Sequence, residues 1–212
     1  LGSGGFGKVY LGHHKLIPDI QVAIKVRKEN WAGNDEGQQK FLEEAKFMAK
    51  IDNHPNVVRV QNFYWDGDTV AIVMDYCSGG NLEQLIERDG PIPWRKAIEM
   101  AREICSGLNA AHQASIIHRD IKPSNILINN NDKIKIADFG IAIEQTGSAR
   151  LTQKHMLVGT PMYMSPEHIL EMDIEKTSDI YLLGLTFYEM LAGKHPFDVK
   201  KGKIKKLRLD EK

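Results

Sequence analysis

The sequence predicts an α+β chain of two lobes, a small antiparallel β-sheet lobe with one helix and a larger, mainly helical lobe. Three observations carry that expectation. Over residues 1–75, short β-rich apolar runs recur between turn residues, with a single stretch at helical spacing. Over residues 94–112 and 177–192, apolar residues recur with the helical period. Between these regions "CSGGN" at 77–81 interrupts both patterns. Residues 1–75 are therefore assigned to the first lobe, 76–80 to a hinge and 81–212 to the second lobe, with a cleft expected between the lobes.

The elements follow in order. "KVYLG" after a glycine cluster and "QVAIKV" read as strands. Residues 38–51 place Phe41, Ala45 and Met48, and Leu42, Ala45 and Ala49, at helical spacing. "NVVRVQNFYW" and "TVAIVMDY" read as two strands around the turn signal "DGD". Asn81 is placed to cap a helix starting at Leu82. In 94–112, Ala97, Ile98, Ala101, Ile104, Cys105, Leu108 and Ala111 mark a helix. "NILIN" and "KIKIA" flank a hairpin-like "NNND", and a long polar loop runs on to about Ser165.

Composition narrows the function classes. The 212 residues are 42% hydrophobic, enough for a sizeable core. Lys plus Arg and Asp plus Glu number 28 each, and a net charge of zero argues against a nucleic-acid or membrane-surface binder. The lysines within 200–206 read as a solvated tail. Cys77 and Cys105 sit in no metal-ligand pattern and fit a reducing setting. No signal-peptide pattern opens the chain, and its longest apolar run, Ile180 to Gly193, is too short to span a bilayer and contains Glu189. The expected location is cytoplasmic, or the cytoplasmic face of a membrane if an anchor lies outside this window.

Four motifs carry chemistry. Gly2, Gly4 and Gly7 form G-x-G-x-x-G, whose backbone N–H groups can approach phosphates without a Cβ in the way. Alone it is a weak signal, but strand-like sequence follows it, so Phe6 and Val9 fit a phosphate-covering hairpin rather than a dinucleotide fold. "VAIK" puts Lys25 on a strand, where its ammonium can reach phosphates if a carboxylate fixes its stem. Glu44 is the candidate on the inward helix face, with Glu43 its rival. "HRDIKPSN" is the sharpest signal. Asp120 can orient an attacking hydroxyl and accept its proton, Lys122 can face a γ-phosphate, and Asn125 can ligate a metal. "DFG" at 138–140 follows a short hairpin, with Asp138 a hard oxygen ligand suited to Mg²⁺.

The order and spacing of these motifs make the chain resemble eukaryotic-type Ser/Thr protein kinases from Leu1 to about Phe197. "GTPMYMSPE" (159–167) and "SDIYLLGLTFYEMLAGKHPF" (178–197) are most similar to the bacterial branch. The resemblance implies transfer of the ATP γ-phosphate to serine or threonine of protein substrates, with Mg²⁺ or Mn²⁺. It implies that Leu1, Gly2, Gly4 and Gly7 cover the nucleotide. Val9, Ala23 and Leu127 would sandwich the adenine, Met74 would guard the pocket's back, and the backbones of Asp75 and Cys77 would bond its edge. Cys77 itself reads as a small buried hydrophobe. Met48, Val60, His118 and Phe139 would stack as an apolar column, and Asp179 would anchor the catalytic loop. His118 and His112 are then structural. Lys122, and Thr160 bridging Asp120 and Lys122, resemble the Ser/Thr type. Arg119 before Asp120 implies activation by loop phosphorylation, with Thr152 preferred over Thr146 and Ser148, and a second copy as partner for trans-autophosphorylation.

The match also departs from the family. Related chains continue with further helices after "HPF", one of which brings an arginine to Glu167; Arg208 is not a clear replacement. The second lobe is therefore expected to be incomplete. A nucleotide-binding pseudokinase or scaffold is the alternative, opposed by the presence of Lys25, Asp120 and Asp138. A small-molecule kinase would lack the peptide-docking segment at 159–167.

Overall fold

The computed structural model describes residues 1–4, 7–26, 43, 46–51, 53–66, 69–139, 143–144, 161–170 and 172–197. Glu44, Thr152 and Thr160 lie outside these, as do Phe6, Phe41, Leu42, Ala45, Thr146, Ser148 and Arg208.

The glycine cluster folds as a hairpin. β1 (Gly2–Gly4) pairs antiparallel with β2 (Gly7–His13), with Gly4 opposite Gly7. β3 (Gln21–Val26), β4 (Val60–Asp66) and β5 (Thr69–Asp75) complete a five-stranded antiparallel sheet in the order β1-β2-β3-β5-β4. Its register aligns Val9, Lys25 and Ile72, and two residues along it aligns Leu11, Ala23 and Met74. Side chains directly opposite in a ladder share a face, so these six lie on one side of the sheet.

One expectation needs correction. The strand predicted from Asn56 begins only at Val60. Val57 and Val58 are fully buried, but against the lower lobe. β8 (Ile134–Ile136) takes them as a short parallel neighbour: Ile136 N–H donates to Asn56 O at 2.8 Å, and Val58 N–H donates to Ile136 O at 2.9 Å. An apolar β-branched run satisfies any sheet edge that offers backbone partners, and composition does not say which. The close approach depends on Gly107, where a Cβ would lie 2.7 Å from Asn56 O.

In the lower lobe, α1 (Leu82–Asp89) starts where Asn81 places it. Gln84 N–H donates to Asn81 Oδ1 at 2.8 Å, and Asn81 N–H donates to Gln84 Oε1 at 3.1 Å, a reciprocal cap. α2 (Trp94–Gln113) buries Ala97, Met100, Ile104, Leu108 and Ala111. β6 (Ile116–Ile117) pairs with β9 (Ile143–Glu144), and β7 (Ile126–Ile128) pairs with β8. At the end of the long predicted loop, Pro161–Tyr163 form a 3₁₀ turn, and α3 (Pro166–Ile169) is capped by Ser165. α4 (Lys176–Ala192) buries Leu182, Leu185, Thr186 and Met190, and stops at Gly193 in the left-handed region (φ 69°). One apolar core runs through both lobes, from Met48 and Ile72 to Ile104, Ile136 and Leu182. Among the described residues no helix is long and apolar enough to cross a membrane.

Candidate active site

The loop from His118 to Asn125 is held from beneath by one carboxylate. Asp179, fully buried on α4, accepts the His118 N–H (2.9 Å) and the His112 ring N–H (2.7 Å) on Oδ2, and the Arg119 N–H (2.8 Å) on Oδ1. That grip keeps Arg119 at a left-handed φ of 71°, a conformation a non-glycine residue holds only when its surroundings impose it. His118 is likewise committed. Its Nε2–H donates to Ala137 O at 3.1 Å, and its Nδ1 accepts the Asp120 N–H at 3.2 Å. Both ring nitrogens are thereby engaged in a neutral imidazole, and the ring meets Phe139 edge-on at 4.5 Å. His118 is a support for the loop, with no lone pair left for proton abstraction.

Above this support the polar groups converge. Lys122 Nζ donates to Asp120 Oδ2 at 2.7 Å, and Asn125 Nδ2 donates to the same oxygen at 2.9 Å and to Asp120 O at 2.8 Å. With two donors on Oδ2 and none on Oδ1 among the described residues, the carboxylate can turn Oδ1 to an incoming group. Asn125 uses its amide nitrogen on Asp120, which leaves its Oδ1 as a hard acceptor. Ala137 N–H donates to Asn125 O at 3.0 Å, so the end of β8 is tied to this loop, and Asp138 is the next residue.

Across the cleft, Lys25 Nζ lies 2.9 Å from Asp138 Oδ1. The Lys25 side chain is 9% exposed, and that of Asp138 is 42% exposed. Asp138 also sits at positive φ (65°), a second strained residue in the same cleft. Burial alone would raise its carboxyl, but the Lys25 charge and hydrogen bond, with a smaller contribution from Lys122, outweigh it and hold the group below its ordinary value. An ionised Asp138 and the Asn125 oxygen make a donor set of hard oxygens, which fits a small divalent cation such as Mg²⁺.

The apolar side of the cleft is assembled from both lobes. Val9, Ala23 and Met74 lie on one face of the sheet, and Leu127 is the half-buried residue of β7. Leu1 is exposed beside the glycine hairpin, with its amino group 2.9 Å from Val9 O. Asp75 N–H is committed to Arg59 O at 3.0 Å, so an adenine edge would meet the Asp75 carbonyl and not its amide. Burial, eased by Lys135 and reinforced by Asp75, pushes the Cys77 thiol up to about 11, so Cys77 is an inert buried residue. Sequence reasoning passed over Lys135, whose ammonium reaches both Asp75 and Val57 O. Its signal was available: it is the polar residue between two isoleucines that alternate inward. Tyr163, whose hydroxyl donates to Glu189, was also missed; burial raises both groups.

Comparison with known proteins agrees with this geometry. Residues 1–212 match the protein kinase domain. Over 198 residues the chain is 38% identical to the serine/threonine-protein kinase PrkC of Bacillus subtilis, covering 93% of this chain and 30% of that protein. It is 38% identical over 203 residues to PknB of Mycobacterium leprae (93% and 32%) and 36% identical over 197 residues to PknL of Mycobacterium tuberculosis (93% and 49%). The chain thus spans about a third of the first two relatives and about half of the third.

Proposed function

The chain belongs to the protein kinase domain family, and from that premise we propose that it transfers the γ-phosphate of ATP to serine and threonine hydroxyls of proteins. The observation that carries the reading is the convergence of Lys122 and Asn125 on one oxygen of Asp120, beside a Lys25–Asp138 pair that joins the lobes. Asp120 Oδ1 orients the acceptor hydroxyl and takes its proton as the oxygen bonds to the γ-phosphorus. The bond to the β–γ bridging oxygen breaks and ADP departs with that electron pair. Lys122 faces the transferring group and balances charge that builds on it. Lys25 faces the α- and β-phosphates, and in the described structure Asp138 steadies it. Asp138 and Asn125 would hold Mg²⁺, which supplies charge neutralisation on the phosphates when bound.

Activation by phosphorylation of Thr152, stem fixation of Lys25 by Glu44, and bridging of Asp120 to Lys122 by Thr160 remain part of the proposal on sequence grounds. Arg119 supports the first, being a largely buried cation next to Asp120. The test is transfer of label from γ-labelled ATP with Mg²⁺ to a generic basic protein, beside an Asp138→Ala control, with phosphosites mapped by mass spectrometry. Label on serine or threonine that vanishes in the control is the expected result. Nucleotide binding without transfer would favour the pseudokinase alternative, and label surviving in the control would remove the chemistry from this cleft.

A further inference from the structure

We infer that Lys135 is a positioning residue for the nucleotide, an ammonium pillar that sets the height of the inter-lobe connection above the adenine floor. The inference deepens the kinase reading and rests on it. It begins with the β7–β8 hairpin, where Ile126, Ile128, Ile134 and Ile136 point into the lower core. Leu127 and Lys135 are direct cross-strand partners, so they share the opposite face. Leu127 lies beneath the adenine position, while Lys135 extends to the strand that leads into residues 76–80. Its Nζ donates to Val57 O at 3.2 Å and lies 3.4 Å from Asp75 Oδ2, and its side chain is only 14% exposed.

The other end of the connection rests on the same hairpin. Gly79 N–H donates to Ile128 O, and Ile128 N–H donates to Gly80 O, both at 2.9 Å. A Cβ on Gly79 would lie 2.8 Å from Ile128 O, so the approach is as close as a backbone allows. One hairpin therefore supplies the floor residue and both attachments of the segment whose backbone edges the adenine. The competing partners of Asp75 cannot replace Lys135. Gln61 donates to Asp75 Oδ1 at 2.9 Å, but both it and Asp75 belong to the upper sheet. Arg59 lies 3.6 Å from Asp75 and is half exposed, a geometry that contributes little. Lys135 is the charge that crosses between lobes at this point, and its poorly hydrated ammonium is held there by Asp75 and Val57 O, which offset the cost of burying it.

The test compares Lys135→Met, which keeps the stem and removes the charge, with Lys135→Arg, Asp75→Asn and the Lys135→Met/Asp75→Asn double variant. The readouts are the KM for ATP, kcat, direct titration with Mg·ADP, and amide exchange of residues 75–77 without nucleotide. Lys135→Met is expected to raise KM and weaken Mg·ADP binding by roughly three- to tenfold, with a smaller effect on kcat. Lys135→Arg should recover most of the loss. Asp75→Asn should match Lys135→Met, and the double variant should add nothing further. Exchange at 75–77 should quicken in Lys135→Met. A loss confined to kcat, additive single effects, or unchanged exchange would each overturn the pillar. Wild-type protein that binds no Mg·ADP would instead overturn the nucleotide reading of the cleft, while exchange still decides whether Lys135 braces the connection. If Lys135→Met does not fold, Asp75→Asn carries the same comparison.

Discussion

Two of the lysine–aspartate pairs among the described residues, those of Lys122 with Asp120 and Lys25 with Asp138, are made in opposite ways. Lys122 and Asp120 are two residues apart, and a single loop brings them to 2.7 Å. Lys25 and Asp138 are 113 residues apart, come from different lobes, and meet at 2.9 Å. The first pair is built into local backbone geometry, with Asp179 gripping the loop and Asn125 adding a second donor. The second depends on how β3 of the upper sheet sits over the end of β8. A local pair survives any relative movement of the lobes, whereas a cross-lobe pair reports on it. On the proposed reading, catalysis divides between a preformed proton acceptor and a charge arrangement that exists only while the lobes are correctly spaced.

Breaking the local pair gives the largest expected effect. Asp120→Asn keeps the shape of the site and removes the proton acceptor, so kcat should fall about 10²- to 10⁴-fold. Mg·ADP affinity, measured by titration, should hardly move. A variant retaining a tenth of the wild-type rate would show that Asp120 does not take the proton.

Breaking the cross-lobe pair should cost about 10²- to 10³-fold in kcat/KM for Lys25→Met. It has a distinct signature in pH. Asp138 is held below its ordinary value by Lys25 against burial, so removing Lys25 lets burial dominate and its carboxyl rises. The acid limb of the kcat/KM profile should therefore move to higher pH, where an unchanged limb would deny the coupling.

The support beneath the local pair is tested by Asp179→Asn. An amide cannot accept from the His118 and Arg119 backbone and from His112 in the same way, so buried donors lose partners. Chemical denaturation should show a loss of about 2–4 kcal/mol. The rate should fall too, because Arg119 is free to leave its strained φ.

The last effect, confined to acid pH, concerns His168 in α3, whose pKa is lowered to about 4 by burial and next by the Arg119 charge. Its unfolded value is near 6.5, so as pH falls from 6.5 towards 4 the unfolded chain takes up this proton first. Stability is lost over that window, by at most about 1.4 kcal/mol per pH unit, and the loss levels off below the folded value. The difference between wild type and His168→Gln across pH 4–6.5 isolates it from carboxylate titration. Identical curves would mean His168 is not held neutral beside Arg119.

Much of the molecule was legible in the chain because the relevant forces act over a few residues. The cap at Asn81, the apolar period of α2, the alternation in β7 and β8, and the crowding of Asp120, Lys122 and Asn125 all follow from side chains within one turn or hairpin of each other. Misreading began where an apolar run had more than one possible partner. Val57 and Val58 have the composition of a strand in the upper sheet, yet they add to β8, and the decisive residue is Gly107 on α2, about fifty positions away. Lys135 was overlooked for the same reason: a lysine in a strand reads as surface until Asp75 is seen above it.

By itself, then, the amino-acid sequence determined most of the element types, the candidate reacting groups and the family, since periodicity, capping and motif spacing are local properties of a chain. Only the tertiary structure decided that Asp138 meets Lys25, what the His118 ring nitrogens bond, where residues 56–59 pair, and what holds the connection at 75–80. Each of those depends on burial and on contacts between residues far apart in sequence, and such contacts exist only after both lobes have closed around a common core.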